Sequence, residues 1–282
     1  MLIMRTITLC SFFLLISQLT HAQRVLIVGD SWAEQQWQDQ SHNMVFTANG
    51  HPDITALGDT TAISGSTAAD WIAPTELQRI ADALDNNPDI DIVQLTIGGN
   101  DFLDAWRADF TPMQTLTLQQ QIQTDIQTIV DFILAQDPNI EIILSFYDYP
   151  NFVDTIGGFT GIICNNLHTD LAQPTPLELN TAARDFEQAY TQIADNLSRV
   201  YHVSHAGSMQ NTFGFPDDNI LPGDILPPGD LNLPSPVASM RVTFTVVDCF
   251  HLGAQGYDVL IQNLYDDYFQ EKFDTIFRTA FD

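Results

Sequence analysis

Four short stretches of this sequence set chemically competent side chains beside glycines or beside one another. Gly29-Asp30-Ser31 carries a hydroxyl, Ser64-Gly65-Ser66-Thr67 a glycine amide, Gly98-Gly99-Asn100-Asp101 a carboxamide, and Asp248-Cys249-Phe250-His251 an imidazole three residues after a carboxylate. Nucleophilic attack by a serine on an acyl carbonyl needs these same parts: a hydroxyl, a base, a group that fixes the base, and donors for the developing oxyanion. Each stretch alone is ambiguous. Gly-Asp-Ser is also an ordinary turn, Gly65 also serves as a loop glycine needed only for its dihedrals, and an Asp-x-x-His pair also suits a metal or a structural role.

The elements that must position these residues follow the rhythm of a parallel sheet. Arg24 to Trp32 reads Arg-Val-Leu-Ile-Val-Gly-Asp-Ser-Trp, an apolar run of the kind found in strands buried on both faces. It delivers Ser31 at the carboxyl edge of the sheet, where open α/β folds bind ligands. A short helix over 32–37 and a polar loop to Pro52 are expected next, then a strand near Ile54–Leu57. Pro74 opens a helix with Leu77, Ile80, Ala81 and Leu84 on one face. Ile90–Ile97 reads as a second buried strand, ending in the Gly98-Gly99 turn. Leu118, Ile122, Ile126, Ile129 and Ile133 mark a long helix, and Ile140–Tyr147 another strand. From Asp148 to Pro176 there is no clear period; the aromatics Phe152 and Phe159 there either line a pocket or pack the loop down. A helix through Leu179, Phe186, Tyr190 and Ile193 precedes a short strand at Val200–Val203. The prolines of 204–239 predict an irregular insertion. Its Asp217, Asp218, Asp224 and Asp230 are candidate calcium ligands without EF-hand spacing. Met240–Val247 alternates as a strand and runs into the Asp-x-x-His turn, and Tyr257, Leu260, Ile261, Leu264 and Tyr268 line a last helix. Alternating strands and helices predict the α/β class.

Residues 1–22 read as an export signal: Arg5 is the only charge, an apolar run spans Ile7 to Leu19, and Thr20-His21-Ala22 ends on a small residue. The run is too short for a comfortable membrane span, so no stable membrane insertion is expected after cleavage. About 260 residues remain, enough for one large domain, and no internal repeat divides it. Loss of Arg5 moves the formal net charge from -27 to -28, since the leader holds no acidic residue. Such a surface repels nucleic acid and anionic membranes, so neither is an expected partner. Two cysteines survive cleavage, Cys164 and Cys249. In an oxidising compartment they either pair, closing a loop of about 85 residues, or remain separate buried thiols.

Taken together and in this order, Gly29-Asp30-Ser31-Trp32, the Gly65 stretch, Gly98-Gly99-Asn100-Asp101 and Asp248-x-x-His251 resemble the four blocks of the SGNH, or GDSL-type, hydrolases over nearly all of the mature chain. The resemblance implies a three-layer α/β/α sandwich of flavodoxin-like type around a parallel sheet of about five strands, filling 23–282 as a single domain. It implies Ser31 as nucleophile, His251 as base and Asp248 as its orienting acid. The oxyanion hole would be the amides of Ser31 and Gly65 with the Asn100 side chain. No metal or organic cofactor is implied. Trp32 stands where the family has leucine, which bears on substrate preference more than on activity. The expected reaction is hydrolysis of a carboxylic ester, lipid or small acyl, by a periplasmic or secreted enzyme. Removal of acetyl groups from carbohydrate is the alternative, with Trp32, Trp37, Trp71 and Trp106 as candidate sugar-stacking faces; a non-catalytic binding protein on the same fold is another. A Cys164–Cys249 bond would pin the turn that presents His251.

Overall fold

The computed structural model describes residues 22–157 and 161–279. The expected export segment, apart from Ala22, lies outside them, as do Cys10 and Phe159. At the centre is a parallel sheet of β1 (Ala22–Gly29), β2 (Ile54–Leu57), β3 (Ile92–Thr96), β4 (Glu141–Ser145) and β5 (Val200–Val203), in the order β2-β1-β3-β4-β5. Strand side chains alternate between faces, and here both faces are covered. Leu26, Val28, Leu95 and Leu144 join one hydrophobic cluster, while Val25, Ile92 and Ile143 join another. This is why the strands read as unbroken apolar runs.

The first cluster is completed by α3 (Ala68–Trp71), α4 (Pro74–Asn86), α6 (Pro112–Gln136) and α8 (Pro176–Asn196), the second by α2 (Ser41–Ala48), α10 (Ala254–Leu264) and α11 (Gln270–Thr279). The short helices α1 (Ser31–Gln38) and α5 (Gly99–Ala105) grow directly out of the ends of β1 and β3. Three layers result, as expected. The strand order reverses between β1 and β3, so the crevice outside their carboxyl ends is the place where such sheets bind ligands. Among the described residues no helix is long and apolar enough to cross a membrane.

The structure differs from the sequence expectation in four places. The polar stretch before Pro52 contains α2, whose Val45 and Phe46 are buried against the second cluster. The 148–176 stretch contains α7 (Ile162–Asp170), and the proline-rich 204–239 stretch contains α9 (Ser208–Phe213). The buried Asp148 carboxylate accepts from the amides of Gly207 and Met209, holding the first turn of α9 against the end of β4. Met240–Val247 is not one strand but the start of an antiparallel hairpin, β6 (Met240–Thr243) and β7 (Val246–Leu252), separate from the main sheet.

A buried polar network sets α1 and α2 against the sheet. Gln94 of β3 donates to Gln36 of α1 at 2.7 Å and lies 2.6 Å from His42 Nε2 of α2. Burial holds His42 down to about 4, so its ring is neutral near pH 7. A charged ring here would be left without a carboxylate partner.

Candidate active site

Ser31 is the first helical residue of α1, with Asp30 as the cap. Asp30 Oδ1 accepts the Trp32 amide at 3.0 Å, and the Asp30 amide donates to Thr96 O of β3 at 3.2 Å. The strand-to-helix corner is tight: a Cβ at Gly29, whose φ is +150°, would fall 1.8 Å from Thr96 O. Only glycine lets β1 and β3 pass this closely before the serine. Burial pushes the Asp30 carboxyl up to about 7, against a lowering by the Tyr147 hydroxyl and the Trp32 amide.

Trp32 points away from solvent, stacked on Tyr147 with ring centroids 4.3 Å apart and edge-on to Tyr257. Tyr147 in turn fills the space beside Gly99, where a Cβ would come within 2.1 Å of its ring. The double glycine of 98–99 is therefore explained by two tyrosines, because a Cβ at Gly98 would meet the Tyr190 hydroxyl at 2.3 Å. These packed rings fix the start of α5 and so the position of Asn100.

Asp248 and His251 lie in β7 rather than on a simple turn, and the ladder explains how they meet. Met240 pairs with Leu252 and Val242 with Val247, so Arg241 alone faces the four residues Asp248, Cys249, Phe250 and His251. The excess forces a wide bulge. Within it the Asp248 carboxylate turns back: Oδ1 accepts the amides of Phe250 and His251, each at 2.9 Å, and Oδ2 lies 2.9 Å from His251 Nδ1. Burial alone would raise the Asp248 carboxyl; the His251 ring and these two amides outweigh it and hold it below the usual carboxylate range. Asp248 thereby claims the proton on Nδ1 and leaves the Nε2 lone pair facing Ser31 Oγ, 2.8 Å away across 220 residues of sequence.

Two supports hold the bulge. Cys249 is bonded to Cys164 of α7, the Cα atoms 5.8 Å apart, and the Cys249 carbonyl accepts the Asn151 amide at 2.6 Å. The expected pairing is thus present. On the opposite strand Arg241 donates to Leu252 O, pairs with Asp39 at the end of α1, and lies over the Tyr257 ring.

The remaining candidates sit on the loop after β2. Gly65 is exposed with φ +78°, and neither its amide nor that of Ser31 donates to a protein acceptor among the described residues. The Asn100 carboxamide donates to Ser66 O at 2.9 Å, which ties α5 to the Gly65 loop and leaves its second N–H uncommitted. Two residues to which the sequence reading gave no positioning role complete the tie. Asp101 accepts the amides of Ala68 and Ala69 at the start of α3, and Trp71 donates to Ser66 Oγ at 2.9 Å. An aspartate directly after a candidate oxyanion residue was the available signal, since its partners are amides far away in sequence.

Three of the four tryptophans offer no open sugar-stacking face, since Trp32, Trp71 and Trp106 are buried in the main hydrophobic cluster; Trp37 is half-buried against a smaller one. The acidic insertion uses Asp224 and Asp230 to accept from Leu221 and Asn232 in their own turns. Among the described residues no group of three or more His, Cys, Asp or Glu is arranged to hold a metal.

Comparison with known proteins bears on the family and the fold. No curated protein matches the sequence. Among solved structures, a Streptococcus pneumonia protein provisionally described as a platelet activating factor is 16% identical, with a TM-score of 0.54 over 86% of this chain and 83% of the other. An acetyl esterase mutant solved with acetate is 13% identical, with a TM-score of 0.50 over 90% of this chain and 99% of the other. The extracellular lipase of Streptomyces rimosus is 17% identical, with a TM-score of 0.49 over 87% and 99%. At these identities the first two structures speak for the fold alone. The sequence profile of the GDSL-like lipase/acylhydrolase family, however, matches residues 27–259, from the strand before Ser31 to the helix after His251, and the chain belongs to that family.

Proposed function

We propose that this protein is an exported serine hydrolase that cleaves carboxylic esters through an acyl-enzyme on Ser31. The observation that carries the reading is the continuous line of hydrogen bonds from Ser31 Oγ through His251 to Asp248. His251 Nε2 takes the Ser31 proton as Oγ attacks the acyl carbonyl. The oxyanion forms near the amides of Ser31 and Gly65 and the second N–H of Asn100, donors whose capacity is not used up within the protein. The alcohol leaves with the proton returned from Nε2, and a water repeats the sequence on the acyl-enzyme. The route asks for no metal or organic cofactor. Export is supported by the composition of residues 1–22 and by the Cys164–Cys249 bond, since such bonds persist in oxidising compartments.

The substrate is an ester of a lipid, a small acyl group or an acetylated carbohydrate. A mixed cleft beside Gly65, lined by Ser64, Ser66, Asp70 and Glu76 as well as Ile63, Trp71 and Ala73, favours the carbohydrate ester, whose own faces alternate hydroxyls with C–H surface. Hydrolysis of p-nitrophenyl esters from acetate to palmitate, with Ser31→Ala alongside, tests the reading. Activity on at least one ester that vanishes in the variant is expected. A folded protein inactive on all of them, or an equally active variant, would overturn it in favour of a binding protein on the same fold.

A further inference from the structure

The cleft beside Gly65 does not end there. Its far wall is the first turns of α4, where Thr75, Glu76 and Arg79 face Gly65, Ser66 and Asp70 across about 510 Å³. A second cleft of about 530 Å³ continues from it, with Thr75 and Arg79 on both, and runs on past Asp59, Thr60, Asp82 and Asn86. From Thr75 to Asn86 the helix rises roughly 16 Å, so the two together form a groove with the length of a chain rather than of a single small group. It begins at the amide proposed to hold the oxyanion.

The chemistry of the groove is set by its walls. They present hydroxyls, carboxylates, carboxamides and one guanidinium interleaved with Leu57, Ile63, Trp71, Ala73 and Ala83; the half beside Gly65 is somewhat more apolar than polar, and the half past Asp59 and Asp82 is mainly polar. An alkyl chain laid along it would strip water from these groups and pair with none of them; a polyhydroxylated chain would replace that water bond for bond. Charge narrows the choice. Asp59, Asp70, Glu76 and Asp82 face a single cation, so an anionic chain is disfavoured. The other basic side chains described, Arg24, Arg107, Arg184, Arg199, Arg241 and Lys272, are each held elsewhere by carboxylates or carbonyls. Arg79 is held by Glu76 through Nε at 2.8 Å, and its two terminal nitrogens donate to no described residue. They are exposed on the groove wall, which suits them to hydrogen-bond a sugar hydroxyl or ring oxygen.

We infer that the groove along α4 is the alcohol-side subsite and that it takes a neutral oligosaccharide, with Arg79 as a specificity-determining residue shared by its two halves. The inference rests on the ester-hydrolase reading and narrows it to acetylated carbohydrate. The experiment measures kcat and KM on O-acetylated oligosaccharides of xylose, glucose and mannose, each from monomer to hexamer, with p-nitrophenyl acetate measured beside them. Binding of the same hexamers to Ser31→Ala is followed by calorimetry. For at least one sugar, kcat/KM is expected to rise with chain length, and Arg79→Ala to raise KM for the hexamer about tenfold, as for loss of a charge-assisted hydrogen bond, while kcat stays within about twofold. Arg79→Lys should recover part of the loss. The hexamer should bind Ser31→Ala, and bind it more weakly once Arg79→Ala is added. Hydrolysis of p-nitrophenyl acetate with no length dependence on any sugar would overturn the subsite and leave the esterase reading standing. Equal losses for Arg79→Ala on the hexamer and on p-nitrophenyl acetate would overturn it too, because the substitution would then act on the catalytic centre at large. Absence of all ester hydrolysis would instead overturn the esterase reading, and with it the subsite.

Discussion

Replacing both Cys164 and Cys249 by alanine should cost this protein stability and catalytic rate through one cause. The bond closes a loop across a sequence separation of 85 residues, and in the chain-entropy account such a loop is worth about 4 to 5 kcal/mol. That is an upper figure, and a loss of about 2 to 4 kcal/mol in urea unfolding is expected. The rate follows from where Cys249 sits, between Asp248 and His251 in a bulge that the facing strand matches with one residue. Without the bond, the bulge keeps the Asn151 amide on the Cys249 carbonyl and the Arg241 contacts on the opposite strand. A displacement of His251 Nε2 from Ser31 Oγ of about 1 Å would cost about a hundredfold; with those supports left, about tenfold in kcat on p-nitrophenyl acetate is expected, and KM should change little. Double alanine variants avoid free thiols and their side reactions. A variant with native kcat and native unfolding midpoint would refute the argument, and so would peptide mapping under non-reducing conditions that found both native thiols free.

Asn100→Ala removes both a proposed oxyanion donor and the bond to Ser66 O, and should lower kcat about a hundredfold or more with the fold intact by circular dichroism. Asp30→Asn should change how stability depends on pH. The folded carboxyl titrates near about 7 against an ordinary 3.8, so the stability linked to its neutral form is present below that ordinary value and is lost as pH rises toward about 7. At about 1.4 kcal/mol per tenfold in proton affinity this amounts to at most about 4 kcal/mol. The asparagine still caps Trp32, so its advantage over the native protein in urea melts should grow from about pH 5 to about pH 8, and a constant difference would contradict the burial argument. Gly99→Ala should destabilise by about 1 to 3 kcal/mol, since its Cβ would press on the Tyr147 ring; an unchanged melting temperature would count against that packing.

The strands were legible because a sheet covered on both faces admits almost only apolar residues, and α4, α6 and α8 because each shows one face to the core. The helices inside the stretches expected to be loops were not. α2 reads Ser-His-Asn-Met-Val-Phe-Thr-Ala, a segment with little intrinsic helical preference, and it is helical because Val45 and Phe46 find α10 and α11 across the chain. α9 is held by Asp148, 59 residues before its cap Gly207, a bond no local pattern announces. At the site, residue types and order marked Ser31, Gly65, Asn100, Asp248 and His251, and the bond lines now join Ser31 to His251 and Asp248, and Asn100 to the Gly65 loop. The geometry that joins them was hidden, because a bulge depends on the register of two strands and not on the sequence of either. Tryptophans misled for a related reason: the side chain that stacks well on a sugar stacks equally well on Tyr147.

The partners across the Ser31–His251 bond leave the ribosome far apart in time. At about 5 to 20 residues per second the 220 intervening residues take on the order of 10 to 45 seconds to synthesise. Throughout that interval the β1 corner already exists as sequence, but Ser31 lacks its His251 partner. Because β6 and β7 are no part of the main sheet, that sheet can close before they arrive. On the proposed reading, a product truncated before β7 would carry Ser31 without the His251 and Asp248 that complete its hydrogen-bond line, and should show no esterase activity.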